Sequence, residues 1–304
     1  MRTARSNGSV ARRRRRTHEL AVSGLMLMPF LLLFGVFWIF AILFSLGLSL
    51  TDWADITNPS FAGFANYRRL FANQSFQRAV LHTVWLWILV VPTLSLGALW
   101  VAWVLQSRLV RAKTFIRTLL FLPVLPSLVV VGVIFLLLLD PEYGLPNQLL
   151  RTLGLPAVNI GTDQAAAIPV LALTTIWRWF GYHVMIQLAG LQALPTEPLE
   201  SARVDGAGAW ATFRYVVLPM SMPVVLFSAV MSTIGVLNLF DVAYMLYGEQ
   251  GGPAESGLTL GTLLFREAFA SFDLGYASAI AYVLTAGALL ASLLLLKVGN
   301  RGET

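Results

Sequence analysis

Residues 20–51 read LAVSGLMLMPFLLLFGVFWIFAILFSLGLSLT, 32 positions without one Asp, Glu, Lys or Arg. A hydrocarbon slab about 30 Å thick is crossed by roughly 20 apolar residues of helix, because a helix satisfies its own backbone where water is absent. The stretch is far longer than the apolar region of a signal peptide, about 7 to 15 residues, and it lacks a clear small-residue cleavage site. A retained membrane helix follows. Directly before it stand Arg12, Arg13, Arg14, Arg15 and Arg16. Such a run orients a helix end beside anionic lipid, and no aromatic platform or folded module backs the rival reading of nucleic-acid binding. Residues 1–19 are therefore expected to be a basic cytoplasmic tail, and 20–304 the membrane domain.

The remaining chain has the same character. Of its 304 residues 57% are hydrophobic and only 12% charged, about half the charged fraction of a soluble domain. Windows 79–107, 118–139, 215–240 and 274–296 also lack charges, and 164–196 has only Arg178 inside it. The expectation is an all-α membrane protein with six transmembrane helices. Short basic loops mark the cytoplasmic side. With both termini inside, that side holds 15 Lys and Arg, against five (Arg68, Arg69, Arg78, Arg151 and Arg266) outside. Outer loops 52–78, 140–163 and 248–273 carry most of the acidic residues and offer polar surface to a partner. Pro92, Pro123, Pro126 and Pro223 read as kinks or as hinges, and the sequence leaves both open.

Much chemistry is excluded. The chain has no cysteine, and His18, His82 and His183 lie in three separate segments, so no thiolate or paired-histidine metal site is expected. Lys113 is followed by Thr114, but no glycine lies in the seven residues before it, so nucleotide hydrolysis, if any, belongs to another chain. No close carboxylate pair lies inside a span. A non-catalytic membrane subunit is the reading, with no cofactor of its own.

Between the fourth and fifth spans, residues 195–219 read PTEPLESARVDGAGAWATFRYVVLP. Pro198 suits a first helical turn, Glu200 favours a helix N-terminal end, and Gly206 permits a sharp reversal. A second helix would show Ala207, Trp210, Phe213 and Val217 on one side, with Pro219 ending the pattern. Periodicity alone allows this loop to lie on lipid headgroups or to meet a protein.

The residues themselves carry a resemblance. Glu200-Ser-Ala-x-x-Asp205-Gly206-Ala207, then Phe213 and Leu218-Pro219, closely resembles the EAA loop of permease subunits in binding-protein-dependent ABC importers. Phe61-Ala-Gly-Phe-Ala-Asn-Tyr67, Ala189-Gly-Leu-Gln-Ala-Leu-Pro195, Asn238-Leu-Phe-Asp241-Val-Ala-Tyr244 with Gly251-Gly-Pro253, and Gly275-Tyr-Ala-Ser-Ala279 resemble further segments of the carbohydrate type. Ser201 stands where the second residue of the motif is usually alanine, and Tyr247-Gly-Glu-Gln-Gly-Gly-Pro253 replaces a shorter T-G-G-G-P. The chain is similar to the first permease of the pair in maltose and glycerol-3-phosphate importers.

That resemblance implies a type I ABC importer permease fold in the bacterial inner membrane. It implies a second permease, an ABC ATPase dimer that binds ATP and magnesium, and an extracytoplasmic solute-binding protein that delivers a sugar or polyol derivative. Glu200, Ser201, Ala202, Asp205, Gly206 and Ala207 would couple to the ATPase, anchored by Phe213, Leu218 and Pro219.

A transport path is sought among polar and aromatic residues in the spans. The candidates are Trp177, Arg178, Phe180, His183, Gln187, Asn238, Asp241 and Tyr244, since aromatic faces suit sugar rings and amides suit hydroxyls. Equally, Arg178 would pair with Asp241 or reach the headgroups, and His183 would make an interhelical hydrogen bond. At 1.5 Å per residue, Arg178 and Asp241 are each expected near the outer half of the bilayer. Arg178 is the only cation within a span, which favours a neutral substrate. Two other classes compete: an ion-driven secondary carrier using Asp241, and a membrane enzyme acting on a lipid-linked sugar, which would need paired acidic or histidine groups that the sequence does not show.

Overall fold

A computed structural model describes residues 24–53, 60–107 and 110–300. The arginine run falls outside them. Helix α1 spans Gly24–Ser49, α3 Gln74–Gln106, α4 Lys113–Val124, α5 Leu128–Leu138, α7 Ala167–Gln192, α11 Met222–Leu237, α12 Asp241–Tyr247 and α14 Leu274–Asn300. Shorter helices are α2 (Ala65–Ala72), α6 (Leu145–Thr152), α8 (Glu197–Val204), α9 (Ala209–Thr212), α10 (Leu218–Met220) and α13 (Leu260–Phe265). A two-residue hairpin, β1 (Thr51–Asp52) against β2 (Ser60–Phe61), is the one sheet among the described residues.

Four helical stretches are long and apolar enough to cross a bilayer: α1, α3, Met222–Tyr247 and α14. The pair α4 and α5 makes a fifth if its two arms count as one span. Their arms meet at 96°, a sharp form of the kink that Pro123 and Pro126 had suggested within 118–139. Pro123 and Pro126 lack the N–H that a continuous helix requires, and Ser127 starts α5 by accepting from the Val130 N–H.

The sixth expected span corresponds to α7. Its 26 residues would reach about 39 Å, long enough to cross. It is less apolar than the others because it is the central helix. Thr174, Thr175, Arg178, His183 and Gln187 are all buried, packed among α3, α4 and α11. A helix screened from lipid by its neighbours tolerates polar side chains that a lipid-facing one excludes. Gly181 permits the closest of these approaches, since a Cβ there would collide with the Leu120 carbonyl of α4.

Helix α3 is continuous but bulged. After Pro92 it makes a π-turn over Thr93–Gly97. This turn exposes carbonyls that side chains satisfy: Gln187 Nε2 donates to Ser95 O at 3.3 Å, and Ser228 Oγ to Leu94 O at 3.3 Å. Trp87 Nε1 donates to Thr233 Oγ1 at 2.9 Å, about two turns earlier along α3. A polar ladder thus joins α3, α7 and α11 inside an apolar bundle. Helix α1 packs against α14 and buries almost none of its own surface. At its end, Asn66 Nδ2 donates to the carbonyls of Ser49 and Thr51, and Arg69 pairs with Asp273 at 2.6 Å, fastening it to the start of α14.

Candidate coupling loop and translocation cavity

The loop 195–219 forms two helices that reverse at Gly206, as the residue types require. Pro198 and the acidic Glu197 and Glu200 occupy the first turn of α8. At its end the Gly206 N–H reaches Arg203 O at 3.1 Å and the Ala207 N–H reaches Ala202 O at 2.9 Å. Gly206 holds φ at +76°, a left-handed value that a side chain resists, and nothing lies within 4 Å of where its Cβ would be.

The second helix continues from α9 through a π-turn over Phe213–Val217 into α10. Pro219 lies in the first turn of α10, and the chain breaks two residues later, at Ser221, rather than at Pro219 itself. The apolar face is divided. Phe213 and Val217 are buried in a cluster with Leu99, Leu105, Val184 and Leu188, and the Phe213 ring meets Trp100 edge-on at 4.9 Å. Trp210 rests on Trp100 at 5.6 Å yet remains 64% exposed. Much of the apolar face is therefore covered by the chain's own α3 and α7. Left free are Glu200, Ser201, Arg203, Asp205 and Gly206, with Ala202 and Ala207 half-buried and Val204 88% exposed.

A cavity of about 330 Å³ opens between α3, α7 and α11, lined by Thr175, Trp179, Tyr182, His183, Ser232, Asn238 and Asp241 among apolar residues. Of the eight path candidates it brings together His183, Asn238 and Asp241. The others lie elsewhere. The Trp177 ring sits against Phe135 at 5.4 Å, and Arg178 Nη1 donates to Pro126 O at 3.3 Å, at the break between α4 and α5. Phe180 packs beside Gly97, Gln187 serves the π-turn of α3, and Tyr244 meets Phe240 at a tilt and Phe265 edge-on.

Arg178 and Asp241 make no ion pair within 4 Å among the described residues, and Asp241 is exposed while Arg178 is buried. Asp241 also does not continue the rise of its preceding helix. Residues 238–240 are non-helical, and Asp241 begins the separate helix α12, so its height is not given by counting from Met222. His183 Nδ1 lies 2.6 Å from Ser228 Oγ, the interhelical hydrogen bond, while its ring also borders the cavity.

Trp179 and Tyr182 were not among the candidates. Their signal was present as spacing: Thr175, Trp179, Tyr182 and His183 stand at i, i+4, i+7 and i+8, one stripe of a helix. Trp177, Arg178 and Phe180 lie on other stripes of α7, away from this cavity.

Residues 71–299 match the family of binding-protein-dependent transport system inner membrane components. The chain belongs to that family. This permease is 33% identical over 292 residues to a probable ABC transporter permease of Pyrococcus horikoshii, covering 95% of this chain and 99% of the relative. It is 34% identical over 263 residues to the lactose transport system permease protein LacF of Rhizobium radiobacter, covering 86% and 88% of the two chains. Its fold matches a chain of a bacterial ABC transporter involved in import of the acidic polysaccharide alginate. There the TM-score is 0.79 at 23% identity, over 95% of this permease and 99% of that chain.

Proposed function

We propose that this permease is one half of a membrane pair that carries a sugar or polyol derivative inward, driven by ATP hydrolysis on a separate ATPase dimer. In this reading the chain crosses the bilayer six times with both termini cytoplasmic, α7 and the bent α4–α5 pair each counting as one span. ATP and magnesium bind the ATPase, and an outer binding protein delivers the solute. The observation that carries the reading is the loop. A rigid two-helix unit, anchored through Phe213 and Val217 to α3 and α7, leaves the segment from Glu200 to Gly206 free. A stiff handle of that kind transmits a rigid-body push into the bundle, where a floppy loop would dissipate it.

The sugar class rests on relatives such as the lactose permease and on the cavity. Trp179 and Tyr182 offer ring faces, and Asn238, Ser232 and Asp241 offer hydrogen-bond partners for hydroxyls. The cavity lining contains no Lys or Arg, because Arg178 turns to Pro126, and this favours a neutral solute.

The chain has no cysteine, so single cysteines at Glu200 and Asp205 report neighbours cleanly. In proteoliposomes of the complete importer both should crosslink to the ATPase, and uptake should require ATP. If the permease alone moves solute down an ion gradient, or if those cysteines capture only lipid, the proposal is wrong and a carrier using Asp241 takes its place.

A further inference from the structure

His183 stands where the polar ladder of α3, α7 and α11 meets the cavity. The residue is buried, its ring borders the cavity, and no carboxylate lies within 4 Å of it among the described residues. A charged ring there would be buried without a partner, so the imidazole is neutral. A neutral imidazole has one N–H and one bare nitrogen, and the hydrogen bond made by one nitrogen fixes the state of the other.

The direction of that bond is set by the π-turn of α3. In a regular helix the Ala98 N–H would reach the Leu94 carbonyl. Here it reaches the carbonyls of Thr93 and Ser95 instead, and Ser228 Oγ lies 3.3 Å from Leu94 O. A carbonyl can only accept, so the single hydroxyl proton of Ser228 points to Leu94. The same Ser228 oxygen lies 2.6 Å from His183 Nδ1, and with its proton committed it can only accept there. Nδ1 therefore carries the ring proton, and Nε2 is bare. In the reverse arrangement Ser228 would donate to Nδ1 and the Leu94 carbonyl would lose this donor, which is costly where Leu94 and Ser228 are both buried. Nε2 makes no hydrogen bond within the described residues and is not one of their enclosed unpaired atoms, so it opens on the cavity that the ring borders.

The polar wall around it is turned the same way. Ser232 Oγ gives its proton to Ser228 O at 2.9 Å, and Thr175 Oγ1 gives its own to Leu171 O at 2.7 Å. Asn238 Nδ2 donates to Ile234 O at 2.9 Å, which leaves one amide hydrogen, and an ionised Asp241 has none to offer. Besides that amide hydrogen, the donors left on the wall are those of Trp179 and Tyr182. The wall is mainly one of acceptors, and acceptors take hydroxyl hydrogens.

We propose that His183 is a specificity-determining residue of this cavity: its Nε2, held bare by the relay through Ser228 to Leu94, accepts a hydrogen bond from one hydroxyl of the solute. The inference rests on the reading of the cavity as the path of a sugar or polyol. A group that can only accept, such as a carboxylate or a methyl ether, finds no donor at this nitrogen.

The test has two arms, both on the complete importer in lipid vesicles. In the first, solid-state nuclear magnetic resonance of isotope-labelled histidine reads the ring, with the His183 signals taken as the difference between wild type and His183→Phe. The expected result is a proton on Nδ1 and none on Nε2. A proton on Nε2 would overturn the proposal whatever the solute is. In the second arm the importer and its binding protein are given a mixture of free pentoses, hexoses, their disaccharides and the corresponding polyols. The accumulated solute is identified by mass spectrometry, and uptake is repeated with each of its monodeoxy analogues. For one analogue the loss of uptake should be about tenfold greater in wild type than in His183→Phe, the binding protein's own preference being common to both. Equal losses in the two proteins for every analogue would overturn the proposal. If wild type accumulates no member of the mixture, the reading of the cavity as a sugar path falls, and the solute assigned to His183 falls with it. Should His183→Phe fail to assemble, Ser228→Ala serves both arms: without the oxygen that holds Nδ1–H, the ring signals should change and the extra loss should shrink several-fold.

Discussion

Gly206→Val separates coupling from folding more cleanly than any other change in the loop. Gly206 sits at φ +76°, and no atom lies within 4 Å of the position its Cβ would take. The substitution therefore meets no clash. Its cost is confined to the backbone, where a non-glycine residue in a sparsely populated region loses about 1–3 kcal/mol. A total stability of roughly 5–15 kcal/mol tolerates that, so the protein should insert and assemble. The same 1–3 kcal/mol, applied to the equilibrium between the native reversal and an extended alternative, shifts it about 5- to 150-fold. The handle then spends part of its time unformed. In proteoliposomes of the complete importer, uptake per ATP hydrolysed should fall several-fold at normal permease content, with Gly206→Ala falling between wild type and valine. Unchanged uptake per ATP in the valine variant, at normal content, would refute both the geometry of the turn and its mechanical role. Loss of the permease from the membrane would refute the separation of coupling from folding.

Two further outcomes follow from burial and charge. Phe213→Ala empties a buried site between Trp100 and Trp103 and should cost about 3–5 kcal/mol, whereas Trp210→Ala, at an exposed ring, should cost less than about 1 kcal/mol. Thermal melting of the detergent-solubilised importer ranks the two, and equal shifts would contradict the division of the apolar face. In the loop before α13, burial pushes the Glu255 carboxyl up, but the Ser75 hydroxyl at 2.7 Å and the Arg266 and Arg78 guanidinia outweigh it and hold it below its ordinary range. A depressed carboxylate stabilises above its unfolded pKa, and that stabilisation is lost as pH falls through the folded value. Amide protection factors in residues 248–273, taken relative to the unstructured rate at each pH, should thus be steady from neutral pH down to about 5 and fall only in stronger acid, and Glu255→Gln should remove that acid step.

The parts of this fold that the sequence made legible are those where one solvent decided every residue. Helices α3 and α14 are apolar along much of their length, so unbroken apolar runs located them. Helix α7 was located by length and by a single tolerated charge, but its polar residues answer to neighbouring helices, and only a helical projection sorts them. Thr175, Trp179 and Tyr182 would have joined His183 in that projection, while the sequence reading added Trp177 and Phe180 from other stripes. The bend at Pro123 and Pro126 was marked by the prolines, although its 96° angle depends on how α4 packs against Gly181. The break at residues 238–240 has no proline or glycine to announce it. The reversal at Gly206 was readable because one backbone conformation admits one residue type.

The swollen turn of α3 at Thr93–Gly97 also constrains how the three central helices may slide. Two of its carbonyls are met by Gln187 from one neighbour and Ser228 from another. Translating either neighbour by one residue, 1.5 Å along its axis, would pull its donor off the carbonyl it serves. The centre of the permease is therefore a keyed joint: it can pivot as a block, but sliding one helix along another breaks the key. Any opening and closing of the cavity beside it is thereby steered toward tilting about this point.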